Sequence, residues 1–247
     1  MARIPARTGI MNFNVITLFP EFFPGINGGA LSGKAMAAGI WSENIVNLRD
    51  FAINDYGSVD DSPFGGGAGM VIRPDVMAAA IDSVPREKLG KIIYFSPRGK
   101  PLTQKMAREF AKSENLTLVC GRYEGLDQRA IDEYEMFEVS VGDYILSGGD
   151  LAAQIFIDTI VRLLDNVVGK TTSINDESFE TGLLEYPLFT RPAAWRGRGV
   201  PEVLLNGNHK AIDDWRRFTA RKITMERRPD LINAECESEK IGPKKEK

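Results

Sequence analysis

Short apolar runs rich in β-branched residues recur along the first 141 positions, and stretches with helical spacing separate them. The runs fall at residues 14–19 (NVITLF), 46–51 (VNLRDF), 91–96 (KIIYFS), 116–120 (LTLVC) and 136–141 (MFEVSV). Residues 103–112 have helical character. In residues 151–164 the apolar positions Ala152, Ile155, Phe156, Ile160 and Leu163, with Thr159, recur at the spacing of one helix face. Ser147-Gly148-Gly149-Asp150 ahead of them reads as a helix start. Strands that alternate with helices can pair in parallel through the helical crossovers, so the chain is predicted to be an α/β protein with a largely parallel sheet.

The pattern stops at residues 169–179 (GKTTSINDESF), a polar stretch that reads as a linker, and a Pro/Gly-rich segment follows at 187–201. A helix is predicted from near Asn208, with Ile212, Trp215, Phe218 or Thr219, and Ile223 on one side. Arg216, Arg217, Arg221 and Lys222 are interleaved among them. The predicted organisation is a domain over 11–168, a linker over 169–180, a small helical domain over 181–234, and flexible ends at 1–10 and 235–247.

Several function classes are disfavoured by what the chain contains. The single histidine, His209, rules out a zinc site built from several imidazoles of one chain. Cys120 and Cys236 make no close-spaced pair, which fits a reducing, cytoplasmic setting better than a disulfide framework. No run approaches the ~20 apolar residues of a membrane span, and residues 1–10 lack the apolar core of a secretory signal. The net charge of −3 conceals an asymmetry: residues 191–229 hold ten Lys/Arg against four Asp/Glu, whereas residues 1–190 hold 17 against 25. A basic segment on an acidic body suits a local nucleic-acid contact or, equally, a solvated helix face.

Gly28 to Lys34 (GGALSGK) approaches a phosphate-binding P-loop, but Ala35 stands where that loop needs Ser or Thr for magnesium, so a nucleotide triphosphatase is rejected. Three other loops each follow a predicted strand: Ser96-Pro97-Arg98-Gly99, the run from Cys120 to Gly125, and the run from Gly142 to Gly149. Ligands of open α/β sheets bind beyond the carboxyl ends of strands, and glycine lets main-chain groups approach a flat ligand closely. Any one of these loops could be a simple turn; three at successive strand ends point to a bound cofactor.

Taken together, the segments VDDSPFGGGAGM (59–70), YFSPRGK (94–100), LVCGRYEGLDQR (118–129), SVGDYILSGGD (140–150), ESFETGLLEYPLFTRP (177–192) and VPEVLLNGNH (200–209) resemble the bacterial tRNA (guanine-N1-)-methyltransferases, a family of the knotted SPOUT superfamily. The resemblance spans about residues 11–230. It implies a parallel-sheet domain with a deep trefoil knot, against the general rule that chains do not thread loops. It also implies a small helical C-terminal domain and an obligate homodimer. The implied substrates are tRNA and S-adenosylmethionine, and the implied target is the guanine immediately 3′ to the anticodon. The residues that map to the cofactor pocket are Tyr94, Phe95, Ser96 and Pro97 in the first loop. In the second they are Gly121, Tyr123, Glu124 and Gly125, and in the third Val141, Gly142, Tyr144, Leu146, Gly148 and Gly149. Asp61 and the Gly65–Gly69 loop map near RNA or the cofactor's methionine end, and Asn208, His209, Arg216 and Arg217 to the tRNA backbone. Asn208 is alternatively a simple helix cap. The family is also described as magnesium-dependent, and the sequence offers no compact ligand cluster to hold the ion.

The chemistry sets two requirements. Guanine N1 carries a proton at neutral pH, so a general base is needed, and in a chain with one histidine a carboxylate is the natural choice. Negative charge then builds on O6, where a fixed cation stabilises it. The resemblance assigns these roles to Glu177 and Arg162. The family's base is an aspartate directly before Ser-Phe; here that position is Glu177, and Asp176, one residue earlier, is the alternative. Other readings are a related knotted methyltransferase acting on another base or a ribose, and a non-catalytic RNA-binding protein.

Overall fold

Five strands, all parallel, form a sheet in the order β2-β1-β6-β5-β7. In chain order the elements are β1 (Met11–Thr17), α1 (Ala30–Ala37), β2 (Trp41–Asn47), β3 (Asp60–Asp61), β4 (Val71–Ile72), α2 (Pro74–Asp82), α3 (Arg86–Leu89), β5 (Lys91–Pro101), α4 (Gln104–Phe110), β6 (Asn115–Val119), α5 (Gln128–Glu133), β7 (Phe137–Ser140) and α6 (Gly149–Val161). After these come β8 (Ala194–Trp195), β9 (Arg198–Gly199) and α7 (His209–Arg227). The computed structural model describes residues 9–168 and 177–232. The chain divides into two units between Gly169 and Lys170.

In the first unit the sheet is covered on both faces, which is why its central strands read as nearly unbroken apolar runs. One face carries Ile16, Ile92, Tyr94 and Val119, packed with Val76, Met77, Ala80 and Ile81 of α2 and Ala130 and Ile131 of α5. On the other side Phe156 of α6 meets Phe95 and Phe110 at ring separations of 5.5 and 5.2 Å, and Phe110 meets Phe137 at 5.8 Å. Edge-to-face rings of this kind add about 0.5–1.5 kcal/mol per pair beyond burial.

Local chemistry moved several predicted boundaries. The second strand lies at Trp41–Asn47 instead of 46–51, because the Asn47 side chain accepts from the Arg49 amide and closes a 3-10 turn over Leu48–Phe51. As an edge strand, β2 tolerates the polar Ser42, Glu43 and Asn44 that hid it from an apolar count. Thr103 caps α4 by accepting from the Met106 amide at 3.2 Å. The predicted helix 151–164 begins at Gly149 and ends at Val161, with Arg162 as its C-cap. The helix thus starts within Ser147 to Asp150 as read, with Gly148 as its N-cap, but no side chain caps it. Asp150 is turned inward instead, toward Thr17 and Arg122. The P-loop-like string also has another use. A Cβ at Gly33 would lie 2.1 Å from the Gly28 carbonyl oxygen, so this glycine serves chain packing within the start of α1.

Among its described residues the second unit has one long helix, α7, and a two-residue-stranded hairpin, β8–β9. Along α7 the half-buried or buried positions are Ala211, Ile212, Trp215, Arg216, Thr219, Ala220, Ile223 and Thr224, which settles Thr219 rather than Phe218 on the inner side. Thr224 is fully buried and its Oγ1 accepts from the Leu184 amide at 2.9 Å, tying the preceding irregular chain to the helix. Tyr186 and Phe189 pack on Trp215.

Candidate active site

Strands β6, β5 and β7 are neighbours and run the same way, so the loops leaving their carboxyl ends converge. They enclose a cleft of about 510 Å³. Every residue that the sequence assigned to the cofactor lines this cleft: Tyr94, Phe95, Ser96 and Pro97, then Gly121, Tyr123, Glu124 and Gly125, then Val141, Gly142, Tyr144, Leu146, Gly148 and Gly149. Arg98, Arg122, Gln128, Ile145, Ser147 and Ala152 line it too and were missed. Most of these lie inside or beside the quoted loops, and Gln128 and Ala152, on the following helices, carried no signal of their own.

The glycines of the cleft do more than admit a ligand. A Cβ on Gly121 would stand 2.9 Å from the Tyr94 ring, and one on Gly125 would stand 2.7 Å from the Tyr94 hydroxyl. A Cβ on Gly148 would meet the Arg122 side chain at 2.3 Å, and one on Gly149 the Cys120 Cα at 2.9 Å. The loop 142–149 is thus pressed onto the end of β6, and the Gly149 amide donates to the Gly121 carbonyl at 2.8 Å.

Arg122 locks this contact. Its Nε donates to the Asp150 carboxylate at 2.8 Å, a second guanidinium nitrogen lies 2.7 Å from the same oxygen, and Nη1 donates to the Ser147 carbonyl at 3.3 Å. The guanidinium also lies over the Phe19 ring at 4.3 Å. The Thr17 hydroxyl donates to the other Asp150 oxygen. Asp150 side-chain exposure is 4% and that of Arg122 is 16%, so this is a largely desolvated pair with its hydrogen bonds satisfied.

Burial raises the Tyr94 phenol above its usual range and pushes the Cys120 thiol well up, with Asp150 adding to the effect. Both side chains stay neutral at physiological pH and act here as packing groups. Ser96 Oγ accepts from the Arg98 amide at 3.2 Å, and the Tyr144 hydroxyl donates to the Val141 carbonyl at 3.0 Å. The loop ends are therefore braced by their own side chains, while Tyr123 and Glu124 project at the rim.

The glycine-rich segment at 65–69 reaches the same rim. The Glu124 amide donates to the Met70 carbonyl, the Ile72 amide donates to the Gly125 carbonyl, and a Cβ on Gly69 would touch Glu124 Oε1 at 2.4 Å. Asp61 pairs in register with Val71 of this strap and accepts from Arg73 at 3.4 Å. Arg73 binds Asp75 more tightly, and that contact holds the Asp75 carboxyl below its usual value.

The remaining assigned residues lie elsewhere. Arg162, half-buried, caps α6 in the first unit, and Glu177, also half-buried, belongs to the second. Asp176 falls outside the described residues. Asn208 caps α7, accepting from the Ala211 amide at 3.2 Å, and His209 is the exposed first residue of that helix. Arg216 and Arg217 pair with Asp213 and Asp214 at 3.5 and 2.7 Å. Among the described residues no three His, Cys, Asp or Glu side chains gather as a metal site, and no step below depends on magnesium. No helix of the described residues is long and apolar enough to cross a membrane.

The family described as tRNA (guanine-1)-methyltransferase TrmD matches residues 11–234. A tRNA (guanine-N(1)-)-methyltransferase of Rhodospirillum rubrum is 58% identical over 218 residues, covering 88% of this chain and 90% of the relative. Proteins of the same name from Cereibacter sphaeroides and Bartonella henselae are 50% and 55% identical, over 92% and 88% of this chain and 94% and 93% of their own lengths. The chain belongs to the tRNA (guanine-1)-methyltransferase family.

Proposed function

We propose that this chain transfers a methyl group from S-adenosylmethionine to N1 of the guanine immediately 3′ to the tRNA anticodon, position 37. The observation that carries the reading is the cleft itself. It lies within the ~300–1,000 Å³ of small-molecule sites, at the carboxyl ends of adjacent parallel strands, in a chain of this family. Main-chain groups of the loops at 94–97, 121–125 and 141–149 read the adenine edge and ribose, and Leu146 and Ala152 provide apolar contact. When bound, S-adenosylmethionine supplies an electrophilic methyl on a sulfonium.

The chain supplies the rest. Glu177 accepts the N1 proton, a task typically worth ~10²–10⁴ in rate. The Arg162 guanidinium faces O6 and offsets the charge that grows there as the proton leaves. Asp61, Asn208, His209, Arg216 and Arg217 contact the tRNA. The first unit carries the deep trefoil knot of the SPOUT superfamily, a reading supported by the close seating of 142–149 on residues 120–122. Two copies work as a homodimer. In support, Ile26, Leu31, Leu151 and Ile155, from elements that adjoin one another, expose apolar surface. The setting is cytoplasmic, in keeping with the free thiol of Cys120.

The test is methyl transfer to a tRNA bearing guanine after the anticodon, with the product mapped by mass spectrometry. N1-methylguanine at that position is expected. Methylation that persists when this guanine is changed to adenine points to a different base or a ribose. For the base, Glu177→Gln is expected to lower turnover ~100- to 10,000-fold with cofactor affinity unchanged. The same loss in Asp176→Asn alone moves the role to Asp176.

A further inference from the structure

Residues 187–199 of the second unit are all exposed, and from 186 to 201 the chain holds Arg191, Arg196 and Arg198 and no carboxylate. Within it β8 and β9 pair Ala194 with Gly199 and Trp195 with Arg198. The two residues between the strands, Arg196 and Gly197, have φ of +50° and +76°, the type I′ geometry that suits a two-residue hairpin. For an arginine that backbone is unfavourable, and residues held this way tend to mark functional sites. The strap therefore projects Trp195 and Arg198 on one face of a tight ribbon, with Arg196 at its tip.

Trp195 is 58% exposed. Its ring is covered on one face by the Arg196 guanidinium, 4.8 Å from the ring centroid, which leaves the opposite face to stack a planar group. None of the three arginines forms an ion pair among the described residues. Arg216, Arg217 and Arg228 each hold an aspartate of their own unit. To reach a phosphate those three must share or release a carboxylate, whereas Arg196 and Arg198 have none to give up. A positive, acid-free ribbon with an open indole face matches a polyanion that offers flat rings, which is the chemistry of RNA.

We propose that the β8–β9 hairpin is an RNA clamp. Trp195 stacks on an unpaired base of the tRNA, and Arg196 and Arg198 bind the flanking phosphates. This deepens the reading of tRNA as substrate and rests on it. A paired base offers no free face, so the partner base lies in a loop or at a distorted junction.

The test is direct tRNA binding to the full chain across a salt series, without methyl donor. Trp195→Ala is expected to weaken binding about 5- to 150-fold with the salt slope unchanged, the range for loss of one base–aromatic stack. Trp195→Phe, which keeps a stacking face, stays within about threefold of wild type. The pair Arg196→Ala and Arg198→Ala is expected to reduce the slope of log K against log salt by about 1.4–1.8, for two phosphates. Acrylamide quenching of tryptophan emission should fall when tRNA is added to wild type and not to Trp195→Phe. Wild-type affinity and slope in the alanine variants overturn the clamp even if methyl transfer proceeds. So does competition by polyglutamate as strong as that by RNA, which would make the ribbon an acidic-peptide site. Lost binding in these variants upholds it even if the guanine assay fails.

Discussion

Arg122 and Arg196 both lie over an aromatic ring, at 4.3 Å from Phe19 and 4.8 Å from Trp195, yet their settings are opposite. Arg122 is largely buried and its charge is met by Asp150 and the Ser147 carbonyl. Arg196 stands on a surface ribbon with no carboxylate nearby in sequence. The same residue type acts as an internal bolt in one place and as an open hand in the other. What decides between them is whether the fold supplies the anion. Arg216 and Arg217 of α7 fall between these extremes, each with a neighbouring aspartate but still reachable by solvent.

The contrast breaks most visibly at Asp150. Asp150→Ala strands a desolvated guanidinium and the Thr17 hydroxyl, and it is expected to cost ~3–5 kcal/mol of stability, read by denaturant unfolding. A loss below 1 kcal/mol would mean that Arg122 is as open as Arg196. A middle case separates Arg216 from Arg217. Arg216 is half-buried and its guanidinium lies 5.1 Å from the Tyr186 ring, so Arg216→Ala is expected to cost ~1–2 kcal/mol through lost packing. Arg217 is exposed, and Arg217→Ala is expected to cost under ~0.5 kcal/mol. Equal thermal shifts in the two variants would erase that distinction.

The one expected gain concerns a carboxyl with no hydrogen-bond partner among the described residues. Glu43 of edge strand β2 has Oε2 buried without a hydrogen bond, and burial pushes its carboxyl from 4.5 to about 7. The native chain then keeps a proton that the unfolded chain has released. Stability therefore falls as pH climbs from about 4.5 through about 7. Glu43→Gln is expected to add on the order of 1 kcal/mol at pH 8, discounted for partial exposure, and close to nothing at pH 4. Parallel stability–pH curves for the two proteins would show that the carboxyl is solvated.

The buried strands were legible because both faces of a covered parallel sheet demand apolar residues, and Ile92, Ile93, Leu116 and Leu118 advertise it. The cleft loops were legible because their glycines cluster just after those strands. Edge strand β2 was misplaced because Ser42, Glu43 and Asn44 interrupt its apolar run, and the cap at Asn47 depends on a single side-chain hydrogen bond rather than on period. The Arg122–Asp150 pair joins residues 28 apart, and Thr17 comes from 133 positions away. No local pattern announces such a meeting. The hairpin was read only as Pro/Gly-rich chain, since strands of two residues leave no periodicity to detect.

Cys120 sits at the end of β6 with the Gly149 backbone against it, fully buried and with its thiol held protonated. A sulfhydryl so deeply buried reacts with a bulky disulfide reagent only when the structure around it opens locally. Its modification rate is therefore a built-in clock for breathing of the cleft, and any molecule that settles between those loops should slow the clock without touching the sulfur.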